Sequence, residues 1–163
     1  MGVAIVHKFS AFMQWNCQGL RAKYEELKLL LHRYSPLCIS LQETMLSEES
    51  SPCPKGYMIY SLPYDPERGH HGGSAIYVRH DVPHTQYELT SPLQAVAVQL
   101  FLQRRYTICS VYLPPNEALP ENNITALLHA LPRPFLLLGD FNGRHPLWGD
   151  IVTNNRGNAL HQS

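Results

Sequence analysis

Short apolar segments that end in a polar, oxygen-bearing side chain recur along this chain. Phe9 to Cys17 is apolar, is bounded by Gly19 and carries Asn16 near its end. Leu37 to Leu41 runs straight into Gln42-Glu43-Thr44, and Phe135 to Leu138 ends at Gly139-Asp140-Phe141-Asn142. Runs of this length between turn residues read as strands. In α/β sheets, ligands gather outside strand ends, where rigid β structure aims side chains at one crevice. Two carboxylates and two amides converging there suit Mg²⁺, which takes hard oxygen ligands, keeps several waters and needs only one or two carboxylates. Spacing alone leaves a second reading open, in which Glu43 and Asp140 cap helices or pair with arginines.

The rest of the chain fills in around those ends. Leu20, Tyr24, Leu27, Leu30, Leu31 and Tyr34 fall at helical spacing and predict a helix over Leu20 to Tyr34, stopped by Ser35-Pro36. Tyr57 to Leu62 and Ser74 to Arg79 are strand candidates, between polar loops at Ser47 to Gly56 and Pro63 to Gly73. Val96 to Leu102 and Tyr106 to Leu113 predict a hairpin turning at Gln103-Arg104-Arg105. Asn122 to Leu131 predicts a helix stopped by Pro132, and Arg156 to His161 starts a last one. Strands outnumber helices and helices fall between some of them, which predicts an α/β protein with sheets that are not purely parallel. There is no internal repeat and no linker, so the 163 residues are read as one domain.

Composition excludes several classes. Hydrophobic residues make up 44%, and 13 Lys+Arg balance 13 Asp+Glu, the reverse of a disordered chain. The basic excess of a nucleic-acid-coating module is missing, although acidic metal ligands in a nuclease would offset basic residues. No apolar run approaches the roughly 18 residues of a membrane span, and Met1 to Phe12 lacks the apolar stretch and small-residue site of a signal peptide. Gly2 follows Met1, but position six is Val6, which breaks the myristoylation pattern. Cys17, Cys38, Cys53 and Cys109 form no CxxC pair, so neither a zinc site nor a disulfide framework is expected, and three of them read as buried free thiols. His70-His71 has no third ligand nearby and reads as a solvated loop. Gly72-Gly73 reads as a tight lead into the next strand, and the sequon Asn123-Ile124-Thr125 as a chance match.

Five segments in order carry more than any one of them: Trp15-Asn16-Cys17-Gln18-Gly19-Leu20, Leu41-Gln42-Glu43-Thr44, Gly72-Gly73-Ser74-Ala75-Ile76-Tyr77, Val111-Tyr112-Leu113-Pro114-Pro115 and Gly139-Asp140-Phe141-Asn142. Together they resemble the endonuclease/exonuclease/phosphatase superfamily, which includes abasic-site nucleases of the DNase I type. The continuation Gly143-Arg144-His145-Pro146-Leu147-Trp148-Gly149, then Asn154-Asn155-Arg156-Gly157, is similar to the endonuclease domain of jockey-type non-LTR retrotransposon polyproteins. The resemblance implies a two-sheet β-sandwich flanked by helices, a DNase I-like four-layer fold. It implies a Mg²⁺-dependent (or Mn²⁺-dependent) endonuclease that nicks DNA and leaves a 3′-hydroxyl to prime reverse transcription, inside the cell and in the nucleus.

By the same resemblance Glu43 binds the metal, and Asn16 supports the metal and phosphate site. Tyr112 lies against the scissile phosphate, Asp140 orients or activates the attacking water, and Asn142 binds the phosphate. Relatives that carry an aspartate at the position of Gln18 have one more charge there. Trp148 reads as a packing residue, and His145 is left open between loop and site. The family's catalytic histidine, in a Ser-Asp-His motif near the domain's C-terminus, has no match, and His161 stands in a different context. The expectation is therefore a domain lacking its C-terminal strands, with one sheet left short, marginal stability and weak or no nicking, since a positioned acid–base group contributes roughly 10²–10⁴-fold. Two rivals remain: a superfamily phosphatase acting on lipid or inositol phosphates, which would lack the Leu147-Trp148-Gly149 and Asn155-Arg156-Gly157 signature, and a non-catalytic remnant.

Overall fold

Two βαβ units, each giving a parallel strand pair, frame the molecule. A computed structural model describes residues 12–47, 51–68, 72–115 and 121–162. The first unit is β1 (Phe12–Asn16), α1 (Tyr24–Tyr34) and β2 (Cys38–Gln42); the second is β7 (Arg105–Tyr112), α2 (Glu121–Ala130) and β8 (Phe135–Asp140). Between them lie β3 (Tyr57–Leu62), β4 (Ser74–Arg79), β5 (His84–Tyr87) and β6 (Gln94–Phe101), and α3 (Asn155–Gln162) follows the second unit. The strands form two four-stranded mixed sheets, ordered β1-β2-β4-β3 and β5-β6-β7-β8. β1 runs parallel to β2 with Asn16 opposite Gln42, and β7 parallel to β8 with Tyr112 opposite Asp140. A parallel pair needs a crossover, usually a helix; α1 and α2 supply one on the outside of each sheet.

Side-chain alternation builds the layers. In β2, Ile39 and Leu41 point to α1, where they pack with Met13, Trp15, Leu27, Leu31 and Tyr77. Cys38 points the other way, to an inter-sheet core of Ile76, Val78, Val96, Val98, Leu100 and Ile108. In β7, Cys109 and Val111 face α2 and pack on Ile124, Leu127 and Leu131. Helix, sheet, sheet, helix is the four-layer sandwich expected. The inter-sheet layer changes character along its length: toward the ends of β2 and β7 it becomes polar, with Ser40, Gln42, Ser74 and Ser110 all fully buried. Among the described residues no helix is long and apolar enough to cross a membrane.

The differences from expectation have local causes. The first helix starts at Tyr24; residues 20–23 form a turn that the N–H groups of Gly19 and Leu20 tie to the carbonyls of Glu43 and Thr44, at 2.8 and 2.9 Å. It ends at Ser35 in the left-handed region, whose N–H returns to Leu31 O. β5 was not foreseen: His84-Thr85-Gln86-Tyr87 has no apolar alternation and forms only an edge paired with β6. Each sheet has four strands, so neither is shorter than the other among the described residues. Cys17, Cys38 and Cys109 are buried free thiols and Cys53 is exposed. His70-His71 falls outside the described residues, as does the Trp148 side chain.

Candidate active site

β1, β2 and β8 bring Asn16, Glu43 and Asp140 to one end of the sandwich. Asn16 Nδ2 donates to Glu43 Oε1 at 2.9 Å and to Asp140 Oδ2 at 2.7 Å. That amide joins the two sheets, and its bond to Asp140 spans 124 residues of sequence. Asp140 Oδ1 accepts the backbone N–H of Asn142 at 3.0 Å, and Asn142 Nδ2 donates to Leu113 O at 2.9 Å. Tyr112, at the end of β7, is 3% exposed and hydrogen-bonds Glu43. All five residues singled out from the sequence therefore meet.

The local backbone explains how. Glu43 has φ +51° and Asn142 φ +48°, the left-handed region that a side chain disfavours. Such conformations persist where the surroundings over-determine them, and they cluster at functional sites. Around Glu43 the determinants are main-chain bonds: Cys17 N to Gln42 O at 3.0 Å, Gly19 N to Glu43 O, Leu20 N to Thr44 O, and Met45 N to Gly72 O at 2.9 Å. Gly73, at φ +84°, lies so near that a Cβ would come 2.6 Å from Thr44 Oγ1. Its own N–H goes to Gln94 Oε1 at 2.7 Å. Gly72-Gly73 is thus a close-approach lead into β4, with its Gly73 amide already committed.

Electrostatically the site is anionic and partly dry. Burial pushes the Tyr112 phenol well above its ordinary value; the charge of Glu43, the hydrogen bond to it and the charge of Asp140 push the same way, and Arg156 opposes them. Tyr112 is therefore a neutral O–H donor at any physiological pH. Asn16 Oδ1 is buried with no hydrogen-bond partner. An orphaned oxygen beside two carboxylates is a natural ligand for a hard cation, and it would offset the repulsion between Glu43 and Asp140. Among the described residues no three His, Cys, Asp or Glu side chains cluster as a cage, so the candidate donors are Glu43, Asn16 Oδ1 and, next to them, Asp140. A cavity of about 400 Å³ lined by Asp140, Phe141, Asn142, Gly143 and Leu160 opens beside them.

Two groups of supporting residues escaped the sequence reading. Gln42 Nε2 donates to Ser40 Oγ at 2.8 Å and Ser110 Oγ at 3.0 Å, while Gln14 Nε2 donates to Gln42 Oε1 at 2.6 Å. The signal was a glutamine at an inward position of an otherwise buried strand. The other group, Asn154 and Arg156, stands at the start of α3. Gln18 is exposed in the turn after β1. His145 caps the short 3₁₀ turn Pro146–Trp148 by accepting Leu147 N–H at 3.2 Å, and it stacks on His161 with centroids 4.9 Å apart.

Comparison with known proteins assigns the family. The model of the endonuclease/exonuclease/phosphatase family matches residues 13–162, and the chain belongs to that family. It is 30% identical over 153 residues to the probable RNA-directed DNA polymerase from transposon X-element of Drosophila melanogaster. It is 27% identical over 151 residues to the RNA-directed DNA polymerase from mobile element jockey of the same fly. These matches take in 90% and 91% of this chain but 16% of each relative. Among solved structures, the endonuclease domain of TRAS1, a telomere-specific non-LTR retrotransposon, superposes with a TM-score of 0.74 at 21% identity, covering 93% of this chain and 67% of that one.

Proposed function

We propose that this chain is the endonuclease part of a non-LTR retrotransposon polyprotein and hydrolyses a DNA phosphodiester, in the nucleus, with Mg²⁺ or Mn²⁺ at Glu43 and Asn16. The observation that carries this reading is the Asn16 amide held between the carboxylates of Glu43 and Asp140, one from each sheet. The orphaned Asn16 Oδ1 supports the metal assignment. Bound there, the ion would neutralise charge gathering on the phosphate and the leaving oxygen.

The remaining roles follow from the hydrogen bonds. Asp140 receives two N–H donors, from Asn16 and from Asn142, which fix its carboxylate. A carboxylate held next to the cleft can orient a water and accept its proton. Tyr112, kept protonated by burial and by its anionic neighbours, gives its one O–H to Glu43 and would turn it to a phosphate oxygen once an ion occupies Glu43. Asn142 gives one amide hydrogen to Leu113 O and offers the other to the phosphate. Donors fixed before the reaction stabilise developing charge without reorganising.

The test is conversion of supercoiled plasmid to open circle by excess protein, with a thermal-shift series alongside. We expect slow nicking that needs Mg²⁺ or Mn²⁺ and falls by about 10²–10⁴-fold in Glu43→Gln or Asp140→Asn. Mg²⁺ should raise the Tm of the parent and not that of Glu43→Gln. Nicking that survives EDTA or both substitutions overturns the assignment, and so does a parent that does not nick.

A further inference from the structure

The segment Asn154-Asn155-Arg156-Gly157 has so far served only as a family signature. In the structure it opens α3 and reaches back into the site. Asn154 Oδ1 accepts Gly157 N–H at 2.7 Å, an N-cap. The same oxygen accepts Arg144 N–H at 2.9 Å, and Asn154 N donates to Arg144 O at 3.0 Å. Asn154 Nδ2 donates to the carbonyl of Asn142 itself, at 3.0 Å. Gly157 lies directly on the Arg144 carbonyl, where a Cβ would overlap it. Arg156 is 8% exposed; its Nη1 donates to Leu113 O at 3.0 Å and Phe141 O at 3.4 Å, and its Nη2 to Pro114 O. Leu113 O is also the acceptor of Asn142 Nδ2.

The Arg156 guanidinium therefore joins the chain that follows Tyr112, at Leu113 and Pro114, to the chain that follows Asp140, at Phe141, and the Asn154 amide ties the start of α3 to the Asn142 carbonyl. Asn142 sits at φ +48° and needs such outside support. We infer that Asn154 and Arg156 are positioning residues: they hold Asn142 and Asp140 in register with Tyr112. The inference rests on the nuclease reading above. A purely structural role, anchoring α3 to the sheet, is separable from it. Serine at 154 keeps an oxygen for the helix cap but has no amide to reach the Asn142 carbonyl, and lysine at 156 keeps the charge but lacks the planar fork whose two nitrogens reach the three carbonyls.

The experiment compares parent, Asn154→Ser, Asn154→Ala and Arg156→Lys by single-turnover nicking rate, DNA Kd, Mg²⁺ dependence and Tm. Displacements near 1 Å at a reacting centre cost about 10²-fold, so Asn154→Ser and Arg156→Lys should nick about 10- to 100-fold more slowly. Their Mg²⁺ dependence should match the parent's, because Glu43 and Asn16 belong to the other sheet, and DNA Kd should weaken far less than the rate. The Tm of Asn154→Ser should stay near the parent's, while that of Asn154→Ala falls with the lost cap. Variants that nick at the parent's rate, or that lose rate only in proportion to their folded fraction, overturn the positioning role alone. A parent that does not nick overturns the nuclease reading, and this inference with it.

Discussion

The two halves of the site are built on the same βαβ geometry but held by different means. On the first sheet, Glu43 is fixed by main chain: five backbone hydrogen bonds tie residues 42–45 to the turn after β1 and to Gly72-Gly73. On the second sheet, Leu113 N to Asp140 O at 3.0 Å is the last ladder-like bond. Beyond it the Asn142 and Asn154 amides and the Arg156 guanidinium take over. A main-chain lock accepts most side chains but tolerates no added volume where backbones touch. A side-chain lock reads its residues by type, because only a planar fork or amide presents the needed donors. The first half should therefore break by crowding and the second by loss of polar groups.

Gly73→Ala should cause the largest loss of stability outside the reacting groups. It forces a side chain into positive φ and within 2.6 Å of Thr44 Oγ1 and 3.4 Å of Leu62 O. Strain and overpacking together should cost about 2–5 kcal/mol, read as a lower urea midpoint with an unchanged slope. By contrast Asn154→Ala should cost about 1 kcal/mol while harming nicking more. If Gly73→Ala is neutral, the first half is not held by close approach and the contrast fails.

Next in size is the polar end of the inter-sheet layer, which serves both halves. Gln42 bridges Gln14, Ser40 and Ser110, and Ser110 meets Ser74 at 2.6 Å. Gln42→Ala opens a cavity and leaves buried donors and acceptors without partners, at about 2–4 kcal/mol. Gln42 directly precedes Glu43 and Ser110 stands two residues before Tyr112, so Mg²⁺ should also stabilise this variant less than the parent.

How much of this was legible in the sequence follows from what each feature depends on. β3 and β4 fall where the sequence reading placed them, at 57–62 and 74–79, because β-branched and aromatic residues between turns settle them locally. The hairpin strands begin and end a residue or two earlier than expected, at 94–101 and 105–112, since turn geometry sets the register. β5 left no local trace, because an edge strand needs only one partner. The five site residues were placed by motif order, and the sheet ends bring them together. Their supports were not readable: Arg156 acts through carbonyls, and any residue supplies a carbonyl. Strain at Glu43 and Asn142 was equally invisible, since the positive φ is imposed by neighbours rather than by glycine.

The smallest effects concern thiols, and they report on each sheet separately. Burial pushes Cys17, Cys38 and Cys109 up to about 12 from an ordinary 9.0. A folded-state value above the unfolded one means that the native state holds its protons longer. Stability from these groups is complete below about pH 9, the unfolded value, and is lost progressively as pH rises toward 12, on the order of 1 kcal/mol per pH unit for each thiol. Tm should therefore fall steadily above pH 9, and a Tm that holds level to pH 11 would contradict the burial of these side chains. At pH 8 a thiol reagent should label Cys53 alone, the exposed cysteine, with the other three reacting only on unfolding. Cys17 leaves β1 beside the main-chain lock, with its Sγ 3.4 Å from Gln42 O, whereas Cys109 lies under α2 in the second sheet. A second equivalent that reacts early is thus informative by its location. If it is Cys17, the backbone lock around Glu43 opens more readily than the second sheet. If it is Cys109, the side-chain lock is the weaker of the two.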